Sequence, residues 1–388
     1  MDIVIVAQYL LDITGTENLN SRFVYLGNLL KDTHQVEIVT SDFIHGRKAH
    51  VQPVDSYRGM KLTMLHEAGY KKNISLRRFG SHRGLARNIA RYLKGRQKPD
   101  VVYCAVPSTD VAAAVAAYCK KSGVPFILDI QDLWPEAFQM VLPLPPLFYP
   151  LAKQADRVYR AADALVAVSD TYRARAGRVN PHAPAAVVFL GTDKEQFDRH
   201  RLQKTAPADT LTLVYVGSLE KSYDLTTAIR AVARCRGVRL LVIGDGSRRA
   251  EWEALARESG AACEFTGYLP YSEMIARMST GDMAINPIRK GSAGSIINKV
   301  GDYAMAGLPV INTQESPEYR RLLEEYEAGL NCACESVEEV AAAIERLARD
   351  EDLRKRMGAR SRHLGETRFD RGATYRQIVT LIEDMGKE

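Results

Sequence analysis

The sequence predicts an α/β fold of two doubly wound domains facing a common cleft. Strand-like and helix-like segments alternate along the chain, the alternation pauses once over 192–210, and it then restarts. The 388 residues suit about two domains at ~100–200 residues each. Strands alternating with helices imply parallel sheets joined by right-handed crossovers, which bind ligands outside the carboxyl ends of the strands.

In the first half, strands are expected at 1–8, 35–42, 100–106, 125–132, 164–170 and 185–191, and helices at 20–32, 85–95, 109–123, 150–163 and 171–179. In the second half, strands are expected at 210–218, 239–246, 263–268, 283–288 and 308–313, with helices LTTAIRAVARC, RRAEWEALARES, SEMIARMS and NKVGDYAMA between them and a helical tail. The expected organisation is a first domain over 1–195, a linker over 196–209, a second domain over 210–365, and a terminal helix over 366–388 packing back on the first domain.

A hydrophobic fraction of 46% and a charged fraction of 26% are ordinary for a globular chain. No apolar run approaches the ~20 residues that span a bilayer. The N-terminus MDIVIVAQYLLD is acidic where a signal peptide would be basic, so it reads as the first strand. Six scattered cysteines without a CxxC pair point to reduced thiols in the cytoplasm. From Arg58 to Lys98, twelve Lys and Arg stand against one acid, Glu67, while the formal charge of the whole chain is only +6. So one-sided a patch predicts an anionic surface as partner. Within it, Arg83, Arg87, Arg91 and Lys94 recur at roughly helical spacing. Nucleic acid is not expected, because no known module or interleaved aromatics accompany these charges.

Four strand-end loops of the second half carry the chemistry. VYVGSLEKSYDL offers Gly217, Ser218 and Lys221; VIGDGS offers Gly244; FTGYLP offers Leu269; and GSAGSIINKVGD offers Gly294, Ser295, Ile297, Asn298, Lys299 and Asp302. Backbone amides at a helix start, together with a lysine, make a phosphate site. Asp302 falls one turn further in, where a carboxylate can meet sugar hydroxyls. The bland readings are tight-turn glycines, a solvated lysine and an acid that only complements the helix dipole. GDGSRR fails as a dinucleotide fingerprint because Arg249 holds the third glycine position. In the first half, Gly15 and Thr16 follow the first strand, and DIQDLWPEAF places Gln131, Asp132, Trp134 and Glu136 after a buried strand. Asp129 and Asp132 have no neighbouring third ligand, so no metal is expected.

These residues resemble the GT-B glycosyltransferases, specifically the retaining family 4, over nearly the whole chain. FLGTDKEQF looks like that family's interdomain segment, with Asp193 and Phe197 in place; YVGSL, VIGDG, FTGYLP and DYAMAGLPVI match further blocks. QDLWPEAF, GSLEKSYDL and SIINKVGDYAMAGLPVI resemble the branch that builds bacterial capsules, O-antigens and exopolysaccharides. The chain departs from the family at three points. Gly294 and Asp302 stand where two glutamates are usual, Ser218 replaces a common arginine, and Gln131 replaces a histidine. The resemblance implies a nucleotide-diphosphate sugar as donor, a UDP-sugar favoured over a GDP-sugar, with no cofactor and no metal. It implies a lipid-linked saccharide acceptor at the inner face of the cell membrane. Lys299, Asp302, Gln131 and Asp132 are then the catalytic candidates. Gly15, Thr16, Trp134 and Glu136 lie on the acceptor side, and Leu269 lies near the base. The alternatives are a nucleotide-sugar epimerase on the same fold and a non-catalytic protein that binds through the basic patch.

Overall fold

The computed structural model describes residues 1–10, 21–73, 75–136, 145–203, 210–291 and 296–387. The chain forms two compact units, Met1–Val188 with Tyr375–Glu388, and Phe189–Thr374.

The first unit holds strands β1 (Asp2–Val6), β2 (Gln35–Ser41), β3 (Phe43–Ile44), β4 (Ala49–His50), β5 (Ser56–Tyr57), β6 (Met60–Leu65), β7 (Val101–Val106), β8 (Phe126–Ile130), β9 (Ala164–Ala167) and β10 (Ala185–Val187). Eight of them form one sheet in the order β10-β9-β8-β7-β1-β2-β6-β5, parallel except for β5 against β6. β3 and β4 make a separate antiparallel hairpin. β7 is buried along its whole length, as befits an apolar strand covered on both faces. The core gathers Ile3, Ile5, Tyr103 and Ile127 with Ile378 and Ile382 from the last helix, Arg376–Met385, and Tyr375 at its cap position.

The second unit holds β11 (Leu211–Val216), β12 (Val238–Ile243), β13 (Cys263–Gly267), β14 (Met283–Asn286), β15 (Val310–Asn312) and β16 (Gly329–Asn331), all parallel, in the order β13-β12-β11-β14-β15-β16. This is the doubly wound arrangement, and its order reverses between β11 and β14. Its core packs Leu213, Leu240, Trp252, Ile285 and Ile344.

The structure differs from the sequence reading in four places. Residues 43–65 carry the hairpin and the β5–β6 edge, which the alternation of long strands and helices does not register. The basic helix begins at Leu76 rather than 85, because the Ser75 hydroxyl caps it by accepting from the Arg78 amide. The segment read as a linker contains the helix Lys194–His200, capped by Asp193 through the Gln196 amide. The short strand β16 was not expected.

Candidate functional site

In the second unit, the loops after β11 and β14 flank the point where the strand order reverses. The helix Asn298–Ala306 starts there, with Ile297 in extended conformation at its cap position and no capping side chain. Lys299 is the second residue of this helix and is only 8% exposed. Its Nζ lies 4.1 Å from the centroid of the Tyr215 ring and 3.9 Å from that of Tyr223. Among the described residues no hydrogen-bond partner reaches it. A Cβ at Gly217 would stand 3.4 Å from the same nitrogen. Burial drives the Lys299 amine well below the ordinary lysine range. Two aromatic faces offset part of that cost, since a desolvated cation–π contact contributes ~2 kcal/mol. The result is a buried amine cradled by rings, with no carboxylate beside it among the described residues, at a helix start without a capping side chain.

The other loop residues divide. Ser218, Lys221 and Asn298 are exposed, and Ile297 and Leu269 are half-buried. The Ser218 carbonyl accepts from the Tyr215 hydroxyl at 2.8 Å, which fixes that ring. Gly244, a donor-binding candidate, also has a packing task. A Cβ there would sit 1.9 Å from the Gly217 carbonyl oxygen, so the glycine lets two strand-end loops pack backbone on backbone. Gly294 and Ser295 lie outside the described residues.

Asp302 lies three residues beyond Lys299 and is 6% exposed. Its Oδ1 accepts from the Thr192 hydroxyl at 2.7 Å and from the Tyr271 hydroxyl at 2.8 Å. Burial raises its carboxyl pKa against those two hydrogen bonds and the nearby Arg371 charge. Oδ1 is thus committed to the protein, and no described residue donates to Oδ2.

In the first unit, Gln131 donates to Asp129 at 3.2 Å, and Asp129 forms a buried ion pair with Arg22 at 2.7 Å. Asp129 is therefore a structural carboxylate. Asp132 accepts from the Leu133 amide at 2.9 Å, and burial raises its pKa. Glu136 is held by Arg175 at 2.5 Å, so one of its oxygens is engaged within the protein. Trp134 is 5% exposed; it stacks on His82 at 5.7 Å, with the Arg78 guanidinium 4.7 Å from its ring centroid. His82 also contacts the Tyr9 hydroxyl at 3.1 Å, and burial lowers its pKa to about 3. Gly15 and Thr16 lie outside the described residues. Arg83, Arg87, Arg91 and Lys94 are exposed on the helix Leu76–Gly95, whose opposite face buries Leu85, Ile89 and Leu93.

Sequence reasoning missed Tyr215 and Tyr223 around Lys299, Thr192 and Tyr271 on Asp302, and Tyr9, Arg78 and His82 beside Trp134. Aromatic residues in strands usually signal core, and no spacing rule ties them to a lysine some eighty residues away.

Two family profiles match the chain, the glycosyl transferase 4-like domain over residues 22–191 and the glycosyl transferases group 1 domain over residues 196–364. Among curated proteins, alpha-D-kanosaminyltransferase of Streptomyces kanamyceticus is 24% identical over 61% of this chain and 64% of its own length. The lipopolysaccharide core biosynthesis glycosyltransferase LpsE of Rhizobium meliloti (strain 1021) is 29% identical over 50% of this chain and 56% of its own. The chain thus spans less than two thirds of these relatives. Among solved structures, sucrose-phosphate synthase from Thermosynechococcus elongatus superposes with a TM-score of 0.78 at 17% identity, covering 99% of this chain and 98% of the other. HepE of Anabaena, in complex with UDP, gives 0.71 at 14% identity, covering 99% and 100%. With the two profiles end to end over most of its length and this fold, the chain belongs to the GT-B glycosyltransferases, a glycosyltransferase 4-like domain followed by a group 1 domain.

Proposed function

We propose that this chain transfers a hexosyl group from a nucleotide-diphosphate sugar, with retention of anomeric configuration and without a metal ion, to a saccharide acceptor. The observation that carries the proposal is Lys299, a buried amine that no described residue reaches with a hydrogen bond, at a helix start without a capping side chain. Such a group is costly unless an anion joins it, and a diphosphate fits both the ammonium and the first-turn amides. In a front-face departure the acceptor hydroxyl enters on the side from which the diphosphate leaves. Stabilising the leaving charge is then the main electrostatic task, and Lys299 performs it. The second carboxylate oxygen of Asp302, the one not taken by Thr192 and Tyr271, is our candidate for the ribose hydroxyls, and Leu269 our candidate against the base. UDP is the favoured nucleotide, in keeping with the UDP complex of HepE. Trp134, Asp132 and Gln131 are the acceptor-side candidates. A lipid-linked acceptor at an anionic membrane surface is supported by the exposed basic face of the helix Leu76–Gly95 and by the lipopolysaccharide role in the name of LpsE.

The test is a thermal-shift panel of UDP, GDP, ADP, CMP and NAD with a chelator present. One nucleoside diphosphate should raise the melting temperature, UDP most of all. The proposal fails if none of them shifts the transition at millimolar concentration.

A further inference from the structure

Outside the site described above, the first unit brings four donor atoms together at the ends of β2 and β6. Asp42 follows β2, His50 ends β4, and His66 and Glu67 follow β6. The ligating atoms of Asp42, His50 and His66 all lie within 4.8 Å of one another. His66 Nδ1 is 2.9 Å from Asp42 Oδ2, and His50 Nε2 is 3.8 Å from Asp42 Oδ1. The Glu67 carbonyl oxygen lies 2.6 Å from the same His50 nitrogen. The two imidazoles stack nearly parallel, with centroids 5.4 Å apart and planes 17° apart.

Tetrahedral coordination at ~2.0–2.1 Å places neighbouring ligand atoms about 3.3 Å apart. The donor atoms are compact on that scale: His66 and His50 stand 2.9 and 3.8 Å from the two oxygens of Asp42, and His50 stands 2.6 Å from the Glu67 carbonyl oxygen. Ordinary hydrogen bonding accounts for His66 on Asp42 and for His50 on the Glu67 carbonyl taken singly. Together they also bring both imidazoles to one carboxylate, His66 at 2.9 Å from one oxygen and His50 at 3.8 Å from the other. The scaffold around the set is fixed. The Glu67 amide donates to Asp42 Oδ1 at 2.9 Å, the orienting contact a ligating carboxylate requires. The Asp42 amide donates to Leu65 and the Val51 amide to Asp42, which ties the β3–β4 hairpin to the strand ends.

We propose that Asp42, His50, His66 and the Glu67 carbonyl form a binding site for a divalent transition-metal ion of the zinc class, which clips the β3–β4 hairpin onto the sheet. Two imidazoles with two oxygen donors suit zinc over magnesium or calcium, which prefer all-oxygen shells of six or more. The ion would also fix the backbone of Glu67, whose carboxylate accepts from Gln8, Ser41 and Ser81. This role is structural and independent of sugar transfer. The ligands come from three elements at spacings of 8 and 16 residues, so no metal motif is visible in the sequence.

The experiment uses the full chain, stripped with chelator, re-equilibrated with zinc at micromolar free concentration and gel-filtered. Elemental analysis should find one zinc per chain. Cobalt in its place should give the intense visible absorption of a tetrahedral ion, bleached by added zinc. H66Q, at a mostly exposed position, and H50Q should each weaken retention by about tenfold or more, and the double variant should retain none, with circular dichroism unchanged. Absence of retained metal in the parent chain, or equal retention in the double variant, overturns the proposal.

Discussion

Lys299 is held by ring faces rather than by an opposing carboxylate, and this choice leaves its charge available. A carboxylate partner would have to be displaced by the ligand; an aromatic cage does not. Burial lowers its pKa in the free chain, and a diphosphate bound as proposed would raise it again. Between those two values binding takes up a proton, so nucleotide affinity weakens as pH rises, by at most ~10-fold per unit for one proton. Calorimetry in buffers of different ionisation heat should detect that uptake, and Lys299→Met should abolish it. The same variant should lower turnover by about 10²–10³-fold, the scale seen when one charge-stabilising donor is removed. Full turnover in Lys299→Met would refute the phosphate assignment. The free variant should also melt higher. Between the lowered folded pKa and the ordinary lysine value, the unfolded chain binds more protons than the folded one, so the native lysine costs stability there. Lysine at a helix start was legible from sequence as an anomaly seeking an anion. The tyrosines that cage it were not, because side-chain convergence across strands leaves no local pattern.

At the scale of elements, the helix Leu76–Gly95 separates its residues cleanly. Its buried face includes His82, Leu85, Ile89 and Leu93, and its outer face carries Arg83, Arg87, Arg91 and Lys94. The basic run is nevertheless smaller as a surface than as a count. Arg78 lies under Trp134, Arg96 pairs with Asp2 and Glu37, and Lys61 pairs with Glu37. Each exposed basic side chain near an anionic leaflet contributes ~1 kcal/mol. Reversing Arg83, Arg87 and Arg91 to Glu should therefore abolish sedimentation with phosphatidylserine vesicles while leaving the UDP-induced thermal shift intact. Sedimentation unchanged by the triple reversal would remove the membrane role and favour a soluble acceptor. Periodicity made this helix legible over its last eleven residues. Its first turns were hidden because Arg77, Arg78 and Gly80 carry no apolar rhythm.

At the scale of the whole molecule, each unit has its own core and its own buried polar anchor, Arg22 on Asp129 in one and Asp302 under Thr192 and Tyr271 in the other. Calorimetry should resolve two transitions, and UDP should move the one belonging to Phe189–Thr374. Removing one partner of a buried ion pair costs about 3–5 kcal/mol. Arg22→Ala should therefore lower the other transition and leave the UDP-sensitive one in place; a shift of both together would show a single cooperative unit. The two-domain α/β architecture was legible because alternating strands and helices restart after one pause. The helix Lys194–His200, which lies inside the second unit, was less so, since it is too short and polar to announce itself.

The passage of the chain out of the first unit after Val188 and back at Tyr375 carries a consequence for biosynthesis. Tyr375, Ile378 and Ile382 are fully buried in the first core, so that core stays open until they have left the ribosome. At ~5–20 residues per second, the intervening unit takes about 10–40 s to translate. For that interval the nascent first unit lacks three side chains of its core, and the apolar surface they cover stays exposed to water until the final helix arrives.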